Sequence, residues 1–213
     1  SGAVLGGVAT ATVVYLLAIK RGVQGYRLIL VGIGIAAMLS SVNAYLITRA
    51  NITDAQQAAV WLTGSLNGRG WEQVRPVALA VLVLLPLAIW LGRDLRMLEL
   101  GDDTARALGV RAERTRLSCV VVGVGLTAVA TASAGPIGFV ALSAPQVARR
   151  LTAVPGPNVV PAALTGAALL AGSDLAAQRI FDPLQLPVGV MTGVLGGIYL
   201  AWLLSREWRK GRG

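Results

Sequence analysis

The chain reads as an all-α bundle of membrane-crossing helices, and three features of the sequence predict it. Its apolar residues, 55% of the 213, gather in long runs that hold no charge. Its basic residues fall mostly to one side of those runs, and its aromatic residues stand near their ends. A soluble domain is usually about 25% charged. This chain is 14% charged, with a mean hydropathy of +0.68.

The uncharged runs cover 3–19, 28–48, 76–92, 117–148, 151–173 and 183–205. A helix needs roughly 20 apolar residues to cross a bilayer, within a range of about 17–25. Most runs match one crossing. The run 117–148 has 32 residues, too many for one straight crossing and few for two. Gly135-Pro136 lies inside it and breaks a helix there. The prediction is a full span over 117–134 and a short helix over 137–150. That short helix has to be buried among others, because its ends would leave backbone groups unpaired in lipid. The predicted spans of this single domain, 1–213, are then 3–19, 28–48, 76–92, 117–134, the short 137–150, 157–180 and 184–205. A polar loop joins two of them at 93–116.

The net charge of +9 would suit nucleic acid, but topology accounts for it. If the first span runs inward, 15 of the 19 Lys and Arg lie inside, and only Arg49, Arg69, Arg75 and Arg179 lie outside. That is the positive-inside pattern, and it sets the C-terminus in the cytoplasm. Trp90, Trp208 and Tyr26 fall near inner span ends, and Trp61, Trp71 and Tyr45 near outer ones, as interfacial belts do. The single Cys119 lies within a span and has no internal disulfide partner. The chain has no His, which excludes His-built metal sites and His proton relays. Ser1 leads straight into membrane sequence with neither initiator Met nor signal peptide. Seven crossings would put the ends on opposite faces, so further spans are expected before Ser1.

The loop 93–116 reads "RDLRMLELGDDTARALGVRAERTR". Gly101 breaks what precedes it. Asp102 or Asp103 is a fitting N-cap, and both acids suit the positive end of a helix dipole. Gly109 suits the left-handed residue that ends a helix. The two turns between carry Thr104 and Leu108 on one face, as well as Ala105 and Leu108. So short a helix is marginal in water and has to pack on something, either its own spans or a cytoplasmic partner.

At this point the residues carry a likeness. "LGDDTARALGV" resembles the cytoplasmic coupling segment of permease subunits in binding-protein-dependent ABC importers for ferric siderophores, haem and cobalamin. "VWLTGSLNGRGW", "AGPIGFVALSAPQVARRL", "VVPAALTGAALLAGSDLAAQR" and "LPVGVMTGVLGGIYLAWLL" resemble further blocks of that family, in the family's order, over nearly the whole chain. The nearer likeness, through "RLILVGIGIAAML" and "LELGDDTARALGV", is to ferric enterobactin-type permeases.

The resemblance implies the type II permease fold of ABC importers, with ten spans in the intact subunit. Those present here would be the fourth to the tenth, lacking the first three. It implies a second permease subunit, identical or not, and two cytoplasmic ATPase subunits. It also implies a periplasmic or lipoprotein binding protein and a ferric siderophore as substrate, in the bacterial inner membrane. ATP and Mg belong to the ATPase, so no cofactor is expected on this chain. The coupling segment would be Gly101, Asp102, Asp103, Thr104, Ala105, Leu108, Gly109 and Arg111, with Ala105 and Leu108 as the docking face.

The span 28–48 holds Gly32, Gly34, Ser40, Ser41 and Asn43. Small residues let helices approach closely, and polar ones link them. Ser40 and Asn43, three apart, can line a polar path. By resemblance this span borders the path, with Trp61 and Ser65 at its outer mouth and 22–25 near an inner gate. Trp61 also serves as an interfacial anchor. Asp174 lies in an apolar span, where an acid is a functional candidate by default. Arg179 and Asp182 follow, setting it near the outer end. Asp174 and Arg179 are five apart, about 140° around a helix, so each is expected to bond another helix, for packing or for docking a binding protein. Family members often have His where Gln146 follows Pro145, so a proton-linked role is not expected there.

Two other classes compete. An ion-coupled secondary transporter would want several buried acids, and only Asp174 qualifies. A membrane-embedded enzyme would want a motif such as HExxH or G-x-S-x-G, and neither is present. Haem and cobalamin are the alternative substrates within the family.

Overall fold

The computed structural model describes residues 2–19, 25–154, 156–180 and 186–210. Among these every regular element is an α-helix, with no strand. The elements are α1 (Gly2–Ile19), α2 (Gly25–Arg49), α3 (Ile52–Leu62), α4 (Trp71–Glu99), α5 (Asp102–Ala107), α6 (Ala112–Ala134), α7 (Val140–Thr152), α8 (Val159–Ile180) and α9 (Val188–Lys210). Four stretches are long and apolar enough to cross a membrane: Ile29–Arg49, Trp71–Glu99, Ala112–Ala134 and Val159–Ile180. Shorter apolar stretches run over Leu5–Leu17 and Val188–Leu203. The expected gate at 22–24, and Asp182, lie outside the described residues.

The helices form two packed groups. α4 lies along α6, which also packs on α1; α7 packs on α8, and α9 closes on both. Small residues mark the crossings. A Cβ on Gly7 would lie 3.2 Å from the Ala128 Cβ, and one on Gly125 would lie 3.1 Å from Leu84. Such residues let backbones approach where lipid supplies no hydrophobic drive between helices. α2 stands apart, touching only α1 and α3 among the described elements.

Several boundaries differ from expectation. α4 does not stop at Gly92 but continues to Glu99. Its 29 residues make a rod of roughly 43 Å, longer than the hydrocarbon core, and its charged residues fall in its first and last turns. The polar loop 93–116 is therefore mostly helix. The 49–75 segment contains α3, an 11-residue helix too short to cross a bilayer. The break at Gly135-Pro136 is where the sequence sets it: α6 ends at Ala134, and Gly135 has φ 78°. The short helix starts at Val140 rather than Ile137, because Phe139 takes a left-handed φ of 65° before it. A Cβ on Gly196 of α9 would collide with Phe139, so glycine makes the room for this turn.

Candidate functional site

The two ends of the bundle carry the residues that the sequence singles out. At the Glu99 end, α5 hangs between α4 and α6. Gly101, with φ 100° and ψ 152°, occupies backbone space that is essentially glycine-only, and it turns the chain from α4 into α5. The other end is closed by two hydrogen bonds. Gly109 N–H donates to the Arg106 carbonyl at 3.0 Å, and Val110 N–H donates to the Ala105 carbonyl at 2.9 Å. With Gly109 at φ 85°, this is the Schellman closure.

The capping expectation is corrected here. Gly101 is the N-cap residue, and no side chain caps the helix. Asp102 and Asp103 are its first two residues instead. Asp103, itself fully exposed, accepts from Arg106 within α5 at 3.2 Å. Asp102 reaches across to α6, where Arg116 grips it with both arms. Nη2 lies 2.6 Å from Oδ1 and Nη1 lies 3.1 Å from Oδ2. Roughly a third of each side chain is exposed, 34% for Arg116 and 37% for Asp102. Bidentate pairs of this kind fix orientation as well as contributing energy.

The docking face is corrected too. Ala105 is fully buried, 0% exposed, against the chain's own helices, so it offers nothing to a partner. Leu108, at the C-cap position, is 59% exposed. Thr104 and Arg111 are exposed as well. Beneath α5, the Thr115 hydroxyl on α6 donates to Asp94 of α4 at 3.4 Å. A six-residue helix could not persist alone. Here buried Ala105 seats it and the Arg116 pair straps it, leaving a small ridge that ends in Leu108. Arg116 was not foreseen. Its only sign in the sequence is an opposite charge 14 residues from Asp102, a spacing with no helical period.

At the other end the proposed path residues divide. Asn43 and Trp61 come together with Asp54 and Gln57, lining an open cleft of about 600 Å³ between α2 and α3. Ser40 is exposed on α2 but is not among the residues lining that cleft. Ser65 is elsewhere, in a backbone knot. Its N–H donates to the Ala134 carbonyl at 2.8 Å, and Gly189 N–H donates to the Gly64 carbonyl at 3.1 Å. A Cβ on Gly64 would lie 2.6 Å from the Pro136 oxygen, one on Gly135 would lie 2.6 Å from the Trp61 oxygen, and one on Gly189 would run into the Thr63 carbonyl. The segment after α3, the α6–α7 break and the start of α9 thus meet backbone to backbone.

Asp174 is half-buried and accepts from Gln178 on its own helix at 2.8 Å, not from another helix as expected. Arg179 is exposed and forms no described ion pair with it. Gln146, half-buried on α7, accepts from Arg149 at 3.1 Å.

Membrane-length helices, a short strapped helix at one end and a broken, knotted helix at the other define an all-α bundle of the membrane-protein class. The same fold occurs in a metal-chelate type ABC transporter solved in an inward-facing conformation, at TM-score 0.87 and 24% identity, over 95% of this chain and 65% of that one. The chain belongs to the FecCD transport family, whose model matches residues 1–206. It is 50% identical, over 98% of its length, to the ferric enterobactin transport system permease protein FepG of Escherichia coli K12. It is 38% identical to the Fe(3+) dicitrate permease FecD of the same organism, over 94% of its length, and 31% identical to the hemin permease HmuU of Yersinia pestis, over 97%. It spans 63%, 63% and 62% of the lengths of these relatives.

Proposed function

We propose that this chain is the membrane-spanning permease part of an ATP-driven importer of ferric siderophores. The observation that carries the substrate class is its 50% identity to a ferric enterobactin permease, against 31% to a hemin permease. It works beside a second permease subunit in the bacterial inner membrane, with its C-terminus in the cytoplasm. Two ATPase subunits, which hold the ATP and Mg, dock on the α5 side, and a substrate-binding protein docks on the opposite side.

The work of the chain is mechanical. Leu108 and the exposed rim of α5 take up the ATPase surface. Closure of the ATPases pushes α5, and the push passes through buried Ala105 and the Asp102–Arg116 pair into α4 and α6. A rigid, doubly anchored element biases a bundle between two packings, where a slack loop would absorb the displacement. Asn43 and Trp61 line the path near its outer mouth, and no covalent step is asked of the permease.

Reconstituted full-length transporter tests the docking role. Leu108→Asp is expected to release the ATPase or to uncouple hydrolysis from uptake; unchanged assembly and uptake would sink it. On a Cys119→Ser background, Leu108→Cys is expected to label from the cytoplasm alone, and Ala105→Cys is expected not to label. Labelling of Leu108→Cys from outside would reverse the orientation. The substrate is read by which iron chelates, delivered by the binding protein, stimulate ATP hydrolysis.

A further inference from the structure

We infer that the cleft between the Glu99 end of α4 and the start of α8 binds the phosphodiester headgroup of an anionic phospholipid. The cleft has a volume of about 230 Å³. That is several times the roughly 30 Å³ share of a water molecule. Arg93 and Arg96 line it from α4, and Pro157, Asn158 and Val159 line it from the other side. The two arginines are three apart and so share a face of the helix. Neither has an ion-pair partner among the described residues, where the pairs are Arg106–Asp103 and Arg116–Asp102. Two cations are thus gathered at one opening with no protein anion bonded to them.

Depth points to the kind of anion. Gly92 closes the uncharged run 76–92 and also lines the cleft; Arg93 is the first charge after it. In a membrane permease the opening therefore sits where hydrocarbon gives way to headgroups. Basic pockets between transmembrane helices at this level take lipid phosphates. The start of α8 adds to the attraction. Its first N–H groups have no partner inside the helix, and Pro161, in the same turn, has no N–H. Glu99 follows Arg96 by one turn, and its Oε2 would lie 3.1 Å from a Cβ on Gly156, next to the cleft-lining Pro157. A singly charged phosphodiester suits two arginines and a nearby carboxylate better than free phosphate does.

The test uses the complete transporter, purified with its partner subunits and equilibrated with equal amounts of phosphatidylglycerol and phosphatidylcholine. Native mass spectrometry should find the anionic lipid retained in roughly 10- to 30-fold excess, the effect of two arginines near a headgroup. Arg93→Ala with Arg96→Ala should bring the ratio near parity, while Arg75→Ala at the far end of α4 should leave it alone. If the alanine pair does not assemble, Arg93→Gln and Arg96→Gln singly should each lower the ratio several-fold. Parity in the wild type, or an excess that survives these variants, would overturn the site. So would an excess abolished by millimolar inorganic phosphate at fixed ionic strength, which marks a free-anion site. Loss of the ATPase subunits with the lipid excess intact would give the cleft to a protein partner and overturn it as well.

Discussion

At one end of the bundle α5 is strapped to α6 by a bidentate ion pair, while at the other Gly64, Gly135 and Gly189 bring three backbones together. The first junction is made by what side chains add. The second exists because side chains are missing. An ionic strap in partial solvent is adjustable: it can lengthen, re-form or be replaced by another pair. A contact of carbonyl on α-carbon has no such slack, since interiors resist overpacking. The knotted end is the fixed reference, and the strapped end carries α5 and α6 together and can re-form its contact when the packing switches.

The largest expected effect comes from forcing a side chain into the knot. Gly189→Val would push against the Thr63 carbonyl and is expected to cost about 3 kcal/mol, near the upper limit for overpacking. Thermal unfolding of the purified transporter in detergent reads it. A melting temperature within error of the parent would show that the knot yields and would erase the contrast between the two ends.

Next in size is the strap. Arg116→Asp is expected to lower stability by about 1 kcal/mol, since both partners are about one-third exposed. Uptake per ATP hydrolysed should fall further than the melting temperature alone implies. Adding Asp102→Arg should restore most of that ratio. Recovery will be incomplete, because an arginine at the start of α5 opposes the helix dipole. A swap with no recovery would mean that the pair is not what orients α5.

Asp174→Asn ranks third, at under about 1 kcal/mol, because the amide oxygen can still accept from Gln178. Substrate selection should not move; a selective loss of uptake in a normally assembled complex would give Asp174 a part in transport or docking rather than in packing. Asp103→Asn should be silent in both assays, since the Asp103 side chain is fully exposed and Arg106 mostly so.

These rankings also show what the sequence could and could not convey. Hydropathy is a local sum, so the long uncharged runs announce helices α1, α2, α4, α6, α8 and α9 directly. Gly135-Pro136 is a local breaker, and it does break α6 from α7. The ends of α5 were half legible: Gly109 closes the helix as a left-handed glycine should, but Gly101 took the capping position from Asp102. A glycine with φ 100° starts the helix without a side-chain cap, which frees the aspartate to bond elsewhere. Arg116 as its partner, Ala105 as a buried seat and the meeting of Gly64 with Gly189 depend on distant segments. Three glycines scattered over 125 residues look like ordinary turn residues until the chain folds.

That separation also fixes an order of assembly. During synthesis Gly64 emerges long before Gly189, and until α9 inserts, the Gly64 carbonyl lacks the donor it has in the finished fold. A chain halted before its last helix would leave that carbonyl to water. The final helix is therefore what closes this end, and truncation before α9 is expected to loosen the segment after α3 even though every earlier span is kept.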